Sequence, residues 1–359
     1  MNAHSPQADS AASCSPLHAH HDPALAQGTS CRPALDATSR IEAVHGRALV
    51  LGGGGSTGNA WLIGVLAGCF DAGLDLTGAD LTVGTSAGST AAAQISGAAV
   101  PELYSLTVAA PPKQLQAGTP TRSSVQSADA TPDSGRSTGE SPSVRKPPER
   151  APVARTVNEH LDALLSLVSE SADAGVFRRR IGAAAIERAD EDWQSRWRDI
   201  VSSRLPNHAW PDGTVAVTAV NARTGQGAVF DRHSGIDLID AVAASCSSGP
   251  AYRIGDDHFI DGGYLRGENA GLARGCGTVV VLAPFGGRSL HPKDWRTDLA
   301  SQTEELQEGG SQVRTLFPDQ DDEHLFGANA MNAAYRPTAA RAGFAQGRRV
   351  AEALSELWT

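Results

Sequence analysis

The chain has 359 residues, a formal net charge of -10 and a pI near 5.5, a balance that argues against nucleic acid held on a broad basic surface. Hydrophobic residues make up 40% of it, ordinary for a globular core, so any disorder has to be sought in local segments. The five cysteines (Cys14, Cys31, Cys69, Cys246 and Cys276) are odd in number and show no CxxC spacing, which argues against a disulfide framework or a zinc site and fits a reducing, cytoplasmic compartment.

Residues 1–44 are rich in Ser, Pro, His and Ala without periodicity and are expected to form a disordered tail. His18, His20 and His21 read as part of that solvated tail rather than as a metal site. The first residues lack a basic start followed by an apolar core, so no signal peptide is expected. No stretch approaches the roughly 20 apolar residues of a membrane span, which leaves peripheral contact as the expected form of any membrane association.

"RALVLG" (47–52) predicts a short apolar strand, and "NAWLIGVLAGCFDAG" (59–73) a helix with Leu62, Leu66 and Phe70 near one face. "ADLTVG" (79–84) predicts a second strand and "SAGSTAAAQISG" (86–97) the helix after it. Residues 109–152 are dominated by Pro, Ser, Thr and Gly. Their only apolar residues larger than Ala are Leu115, Val125 and Val144, too few to offset the cost of ordering, so an inserted disordered segment is expected. Helices are predicted at 158–173 and, as one element, at 185–205. Arg178, Arg179 and Arg180 between them read as a solvated helix face. Hairpins are predicted at 214–232 and 252–263 around a helix at 235–247, a buried strand at 277–284, a last strand at 312–318 and a last helix at 338–358. The alternation points to an α/β fold with a mainly parallel sheet covered on both faces, one domain over 45–359.

Between the first strand and helix lies Gly53-x-Gly55-x-x-Gly58, within the run Gly52–Gly55. By itself this is compatible with a dinucleotide-binding turn, a donor loop for an oxyanion, or a turn needed only for packing. The second strand discriminates. Gly84-Thr85-Ser86-Ala87-Gly88 is a G-x-S-x-G between strand and helix, the setting of a nucleophile elbow. A dinucleotide site wants an acidic residue there instead. A serine needs a base. No histidine outside the tail sits in a catalytic pattern, whereas Asp261 ends a predicted strand and is followed by Gly262 and Gly263.

These three motifs, in this order and spacing, resemble the patatin-like phospholipase family. The resemblance covers about residues 45–285 and implies a three-layer α/β/α fold and hydrolysis of lipid acyl esters without metal or cofactor. By position it implies Ser86 as nucleophile, Asp261 as base, and an oxyanion hole from Gly53, Gly54, Gly55, Gly58 and Ala87, with Gly84, Gly88, Gly262 and Gly263 supporting the motifs. Two departures stand out. The family commonly has Arg or Lys before the last glycine of the first motif, where this chain has Thr57. It also places asparagines soon after D-G-G, whereas here the nearest is Asn269 and no role is carried over to it. The alternatives are an α/β-hydrolase esterase with a Ser-His-Asp triad and a nucleotide-binding module using Gly53–Gly58. The expected partner is a lipid or acyl ester, not nucleic acid.

Overall fold

The computed structural model describes residues 36–109 and 157–358. Eight strands form one sheet: β1 (Arg47–Leu51), β2 (Leu81–Thr85), β3 (Thr214–Asn221), β4 (Gly227–Phe230), β5 (Tyr252–Ile254), β6 (Asp257–Asp261), β7 (Thr278–Leu282) and β8 (Gln312–Leu316). The order is β5-β6-β3-β2-β1-β7-β8, with β4 paired to β3. Strands β3, β2, β1, β7 and β8 run parallel, while β4, β5 and β6 are antiparallel additions at one side.

Ten helices accompany it among the described residues: α1 (Thr38–Ile41), α2 (Gly55–Asp71), α3 (Ala87–Gly97), α4 (Val100–Val108), α5 (Val157–Ser169), α6 (Ala174–Glu187), α7 (Glu191–Ser202), α8 (Leu238–Ser245), α9 (Leu299–Glu308) and α10 (Arg336–Trp358). Strand periodicity assigns them to layers. Leu49, Leu51, Val215, Val217, Val280 and Leu282 face one way and pack with residues of α2, α3, α8 and α10. The alternate residues Ala48, Val50, Leu81, Val83, Val279 and Val281 face the other way and meet α1, α9 and the turn at 270–273. Apolar side chains on both faces are what a sheet buried in the middle of three layers requires. The expected α/β/α architecture is therefore present.

The N-terminal boundary differs from expectation. Residues 36–44, assigned above to the tail, are part of the fold. Ala37 N–H donates to the Val229 carbonyl (2.7 Å), Asp36 accepts from Val229 N–H (2.9 Å), and Ala37 and Ile41 are buried. Arg40 grips Asp231 with Nε and Nη2 at 2.9 and 2.8 Å. All of these partners are some 190 residues away in the chain, so local composition carries no trace of them. The rest of the tail, and the predicted insertion beyond Ala109, lie outside the described residues. The single helix expected over 185–205 is interrupted. Asp190 is extended and its side chain accepts from Trp193 N–H, capping α7, while Asp173 caps α6. Helices α4 and α9 had no counterpart in the expectation. Within the arginine triplet, Arg180 pairs with Glu170 (2.8 Å) and Arg178 Nε donates to the Gly225 carbonyl (2.6 Å).

Candidate active site

Ser86 is the single residue between β2 and α3, and it is forced into φ 53°, ψ -112°. A side chain in that region costs on the order of 1–3 kcal/mol and persists only where the surroundings hold it. They do so here from both sides of the peptide. Ser86 N–H donates to Ser245 Oγ at the end of α8 (2.9 Å). Its carbonyl accepts from Ser89 N–H (3.0 Å), Ser89 Oγ (2.7 Å) and Cys246 Sγ (3.2 Å). The turn is pressed against β1: a Cβ on Gly88 would stand 1.8 Å from the Leu51 carbonyl oxygen, which is why the second glycine of the elbow tolerates no side chain. Gly84 is as tightly placed, with Ser89 Cα 2.6 Å from where its Cβ would be.

The register of β3 carries Asp261 to the same place. Thr85 pairs with Thr218, and the next residue, Ala219, pairs with Asp261 at the end of antiparallel β6. Asp261 Oδ1 accepts from Gly263 N–H (2.8 Å), capping the short turn Gly262–Tyr264. Gly262 lies directly on Thr218, whose Oγ1 would be 2.4 Å from an added Cβ. Asp261 is buried, and that burial pushes its carboxyl up to about 6, opposed by the nearby Ser86 hydroxyl and by the Gly263 N–H that it accepts from, which both pull it down. Serine hydroxyl and carboxylate are thus neighbours on one cavity wall, with the carboxylate moved toward the range useful for a general base.

In the glycine loop some N–H groups already have acceptors. Gly53 N–H donates to the Gly267 carbonyl (2.9 Å) and Gly58 N–H to the Gly54 carbonyl (3.0 Å). These two of the five expected donors are engaged, one in fastening the loop and the other in the helical ladder of α2. Thr57 N–H is also taken, by the Ala330 carbonyl (3.0 Å). The N–H groups of Gly54, Gly55 and Ala87 have no acceptor among the described residues.

Asn269 went unassigned in the sequence, yet it ties the site together. Buried and left-handed at φ 54°, it brings Nδ2 within 3.1 Å of Thr85 Oγ1, 3.3 Å of Thr218 Oγ1, 3.2 Å of the Gly262 carbonyl and 2.8 Å of the Arg266 carbonyl. One amide therefore sets the spacing between the residue before Ser86 and the residue after Asp261. An asparagine on the partner side of D-G-G was the available signal; only its distance in sequence hid it.

Ser86, Asp261, Gly53, Gly54 and Gly55 line one cavity of about 710 Å³, within the usual size of a small-molecule site. Its walls are largely apolar. Leu164 and Val168 of α5 and Phe177 of α6 contribute on the N-terminal side of the chain, and Phe317, Phe326 and Met331 on the C-terminal side. His291 is the histidine lining it among the described residues. Its Nδ1 meets Thr297 Oγ1 (3.0 Å), where a triad would have a carboxylate, and burial pushes its pKa down to about 4. No group of three or more His, Cys, Asp or Glu that could hold a metal ion occurs among the described residues. Nor is any described helix long and apolar enough to cross a membrane.

No curated protein matches the chain. The family model for patatin-like phospholipases matches residues 49–274, which span the glycine loop, the elbow, Asp261 and Asn269. With more than half of its length matched and a mostly parallel sheet layered by helices around these motifs, the chain belongs to the patatin-like phospholipase family, whose chemistry is the hydrolysis of lipid acyl groups.

Proposed function

We propose that residues 36–358 act as one catalytic domain that hydrolyses acyl esters of lipids through a Ser86–Asp261 dyad. Ser86 Oγ attacks the ester carbonyl while Asp261 takes the hydroxyl proton. The negative charge that develops on the carbonyl oxygen is met by the N–H groups of Gly54, Gly55 and Ala87, the last at the positive end of α3. Collapse of the tetrahedral intermediate passes the proton from Asp261 to the leaving alcohol and leaves an acyl-serine. Water, deprotonated by Asp261, then attacks the acyl-serine, and the proton returns to Ser86 as the carboxylic acid departs. The acyl chain occupies the apolar cavity.

The observation that supports this reading is that Ser86 and the buried Asp261 line the same apolar cavity, with the serine hydroxyl near enough to influence the carboxyl, beside three N–H groups free to donate. An aspartate exposed to water is ordinarily too weak a base for a serine hydroxyl, titrating near 3.9. Desolvation raises it, and the same apolar surface that raises it receives the substrate.

The test is hydrolysis of short- and long-chain acyl esters by wild type, Ser86→Ala and Asp261→Asn, together with labelling by a fluorophosphonate. Wild type is expected to label and turn over. Ser86→Ala should lose both, and Asp261→Asn should stay folded and lose roughly 10³-fold or more in turnover, the scale seen when a nucleophile or its base is removed. A folded Asp261→Asn enzyme with near-normal turnover would refute the base assignment.

A further inference from the structure

The first turn of α2 follows directly on Gly54 and Gly55, and a cation lies against it. Arg336, the first residue of α10, donates Nη1 to the Ser56 carbonyl (2.7 Å) and Nη2 to Asn59 Oδ1 (3.1 Å), with Ser56 Oγ at 3.4 Å from Nη1. It makes no ion pair with a carboxylate among the described residues. Burial pushes its guanidinium down, and neighbouring Arg204 adds to this. The position is unfavourable on general grounds, since a helix N-terminus is already electropositive and a buried charge without a counter-charge is costly.

The geometry around Asn59 supplies a reason to keep it. Asn59 is buried, and its Nδ2 lies 2.9 Å from Gln94 Oε1 and 3.4 Å from the Ala87 carbonyl. Ala87 is the residue after Ser86. The contacts therefore run in sequence from Arg336 to Ser56 and Asn59 of the glycine loop's helix, and from Asn59 to Ala87 of the elbow. A second anchor from the same region of the chain, the Ala330 carbonyl, holds Thr57 N–H. Besides the packing of Gly88 on β1, the two loops whose N–H groups are free are thus linked by a side chain, Asn59, itself held from α10.

We propose that Arg336 is a positioning residue for the reaction: through Asn59 it clamps the glycine loop to the elbow and sets the distance between the Gly54–Gly55 donors and the Ala87 donor. This rests on the reading of those three N–H groups as the oxyanion hole. An oxyanion needs its donors within a few tenths of an ångström of the right place, so a clamp that fixes their separation acts on the transition state and leaves substrate binding alone. The two-pronged contact needs the planar fork of a guanidinium; a lysine keeps the charge and reaches one acceptor at a time.

The experiment measures kcat and KM of full-length wild type, Arg336→Met, Arg336→Lys, Asn59→Ala and the Arg336→Met/Asn59→Ala double variant on a soluble short-chain ester. Turnover is normalised to sites titrated with a fluorophosphonate, so that misfolded molecules are not counted. Arg336→Met is expected to lower kcat per titrated site tenfold or more with KM within twofold. Arg336→Lys should recover part of the loss. The double variant should be no slower than the slower single variant, because the two residues act in series. A merely structural role predicts fewer titrated sites and a lower Tm with kcat per site unchanged, and that result overturns the proposal. Additive losses in the double variant overturn the series connection. Wild type that neither titrates nor turns over refutes the hydrolase reading and the clamp with it, whereas active wild type with an unaffected Arg336→Met refutes the clamp alone.

Discussion

Ser86, Asp261, Asn269 and the glycine loop all fall within residues 49–274, the span matched by the family model. Phe317, Phe326 and Met331, which line the same cavity, and Arg336, which touches the loop's helix, all fall after it. The first region holds its groups by backbone register and by turns too tight for a side chain. The second contributes Phe317 just after β8, side chains from short turns between 320 and 335, and Arg336 from one long helix. The contrast separates two tasks. The groups proposed to make and break bonds need fixed geometry and sit at strand ends, Ser86 after parallel β2 and Asp261 at the end of antiparallel β6. The wall proposed to receive an acyl chain needs only shape and apolar character, and part of it is supplied by elements appended to the matched fold, alongside Leu164, Val168 and Phe177 from within it.

Three measurements press on that contrast. The largest effect is expected at Gly88. Adding one methyl places a carbon against the Leu51 carbonyl, and Gly88→Ala is expected to cost at least about 3 kcal/mol of stability and to abolish fluorophosphonate labelling. Thermal unfolding and a labelling gel check both; a well-folded, fully labelled variant would mean the elbow is less rigidly seated than its contacts indicate.

The next is the acidic limb of kcat/KM. In the proposed dyad Asp261 works as a base only when ionised, and burial pushes it up to about 6, so activity should fall about tenfold per unit below pH 6 rather than below pH 4. Glu268 is also buried and pushed up to about 7, but it packs behind Gly52 and does not line the cavity, so Glu268→Gln should leave the limb in place. The same shift has a consequence for folding. A carboxyl with a raised folded-state value stabilises the protein below its unfolded value and loses that contribution as pH rises through about 6. Ionised Asp261 is therefore a burden at neutral pH, and Asp261→Asn should raise Tm at pH 8 more than at pH 4.

The smallest effect tests the appended wall. Met331 lies over the glycine loop, its sulfur 3.0 Å from where a Cβ on Gly55 would be, and is 63% exposed. Met331→Ala should raise KM for long-chain esters about fivefold, the equivalent of about 1 kcal/mol of lost apolar contact, and leave short-chain esters unchanged. Equal effects on both chain lengths would place Met331 in the reaction machinery instead.

Much of this was legible in the sequence, and the reason is locality. An elbow is a strand, a serine and a helix in succession, so Gly84–Gly88 announces itself within five residues. The D-G-G turn does the same for Asp261. What escaped notice depends on partners far away in the chain. Arg40 and Asp231 are separated by 191 positions and Arg336 and Ser56 by 280, and neither pairing leaves a local pattern. Which of the expected donors are already bonded was hidden for a related reason. A glycine run shows where backbone can approach a ligand, but not which of its N–H groups are already bonded, and Gly53 is occupied by a carbonyl from beyond Asp261. Asn269 shows the intermediate case: the residue type was correct and its spacing misleading, because a turn at Gly262–Tyr264 folds the intervening chain back.

The place of β7 has a bearing on how the protein is made. β1 pairs along its whole length with β7, which is encoded more than two hundred residues later and after the end of the family match. Translation at about 5–20 residues per second leaves that edge of β1 open for on the order of ten seconds or more, with its amide row unpaired and both of its faces greasy. Expression of residues 49–274 alone would make this interval permanent, and such a fragment should stick to itself or to chaperones.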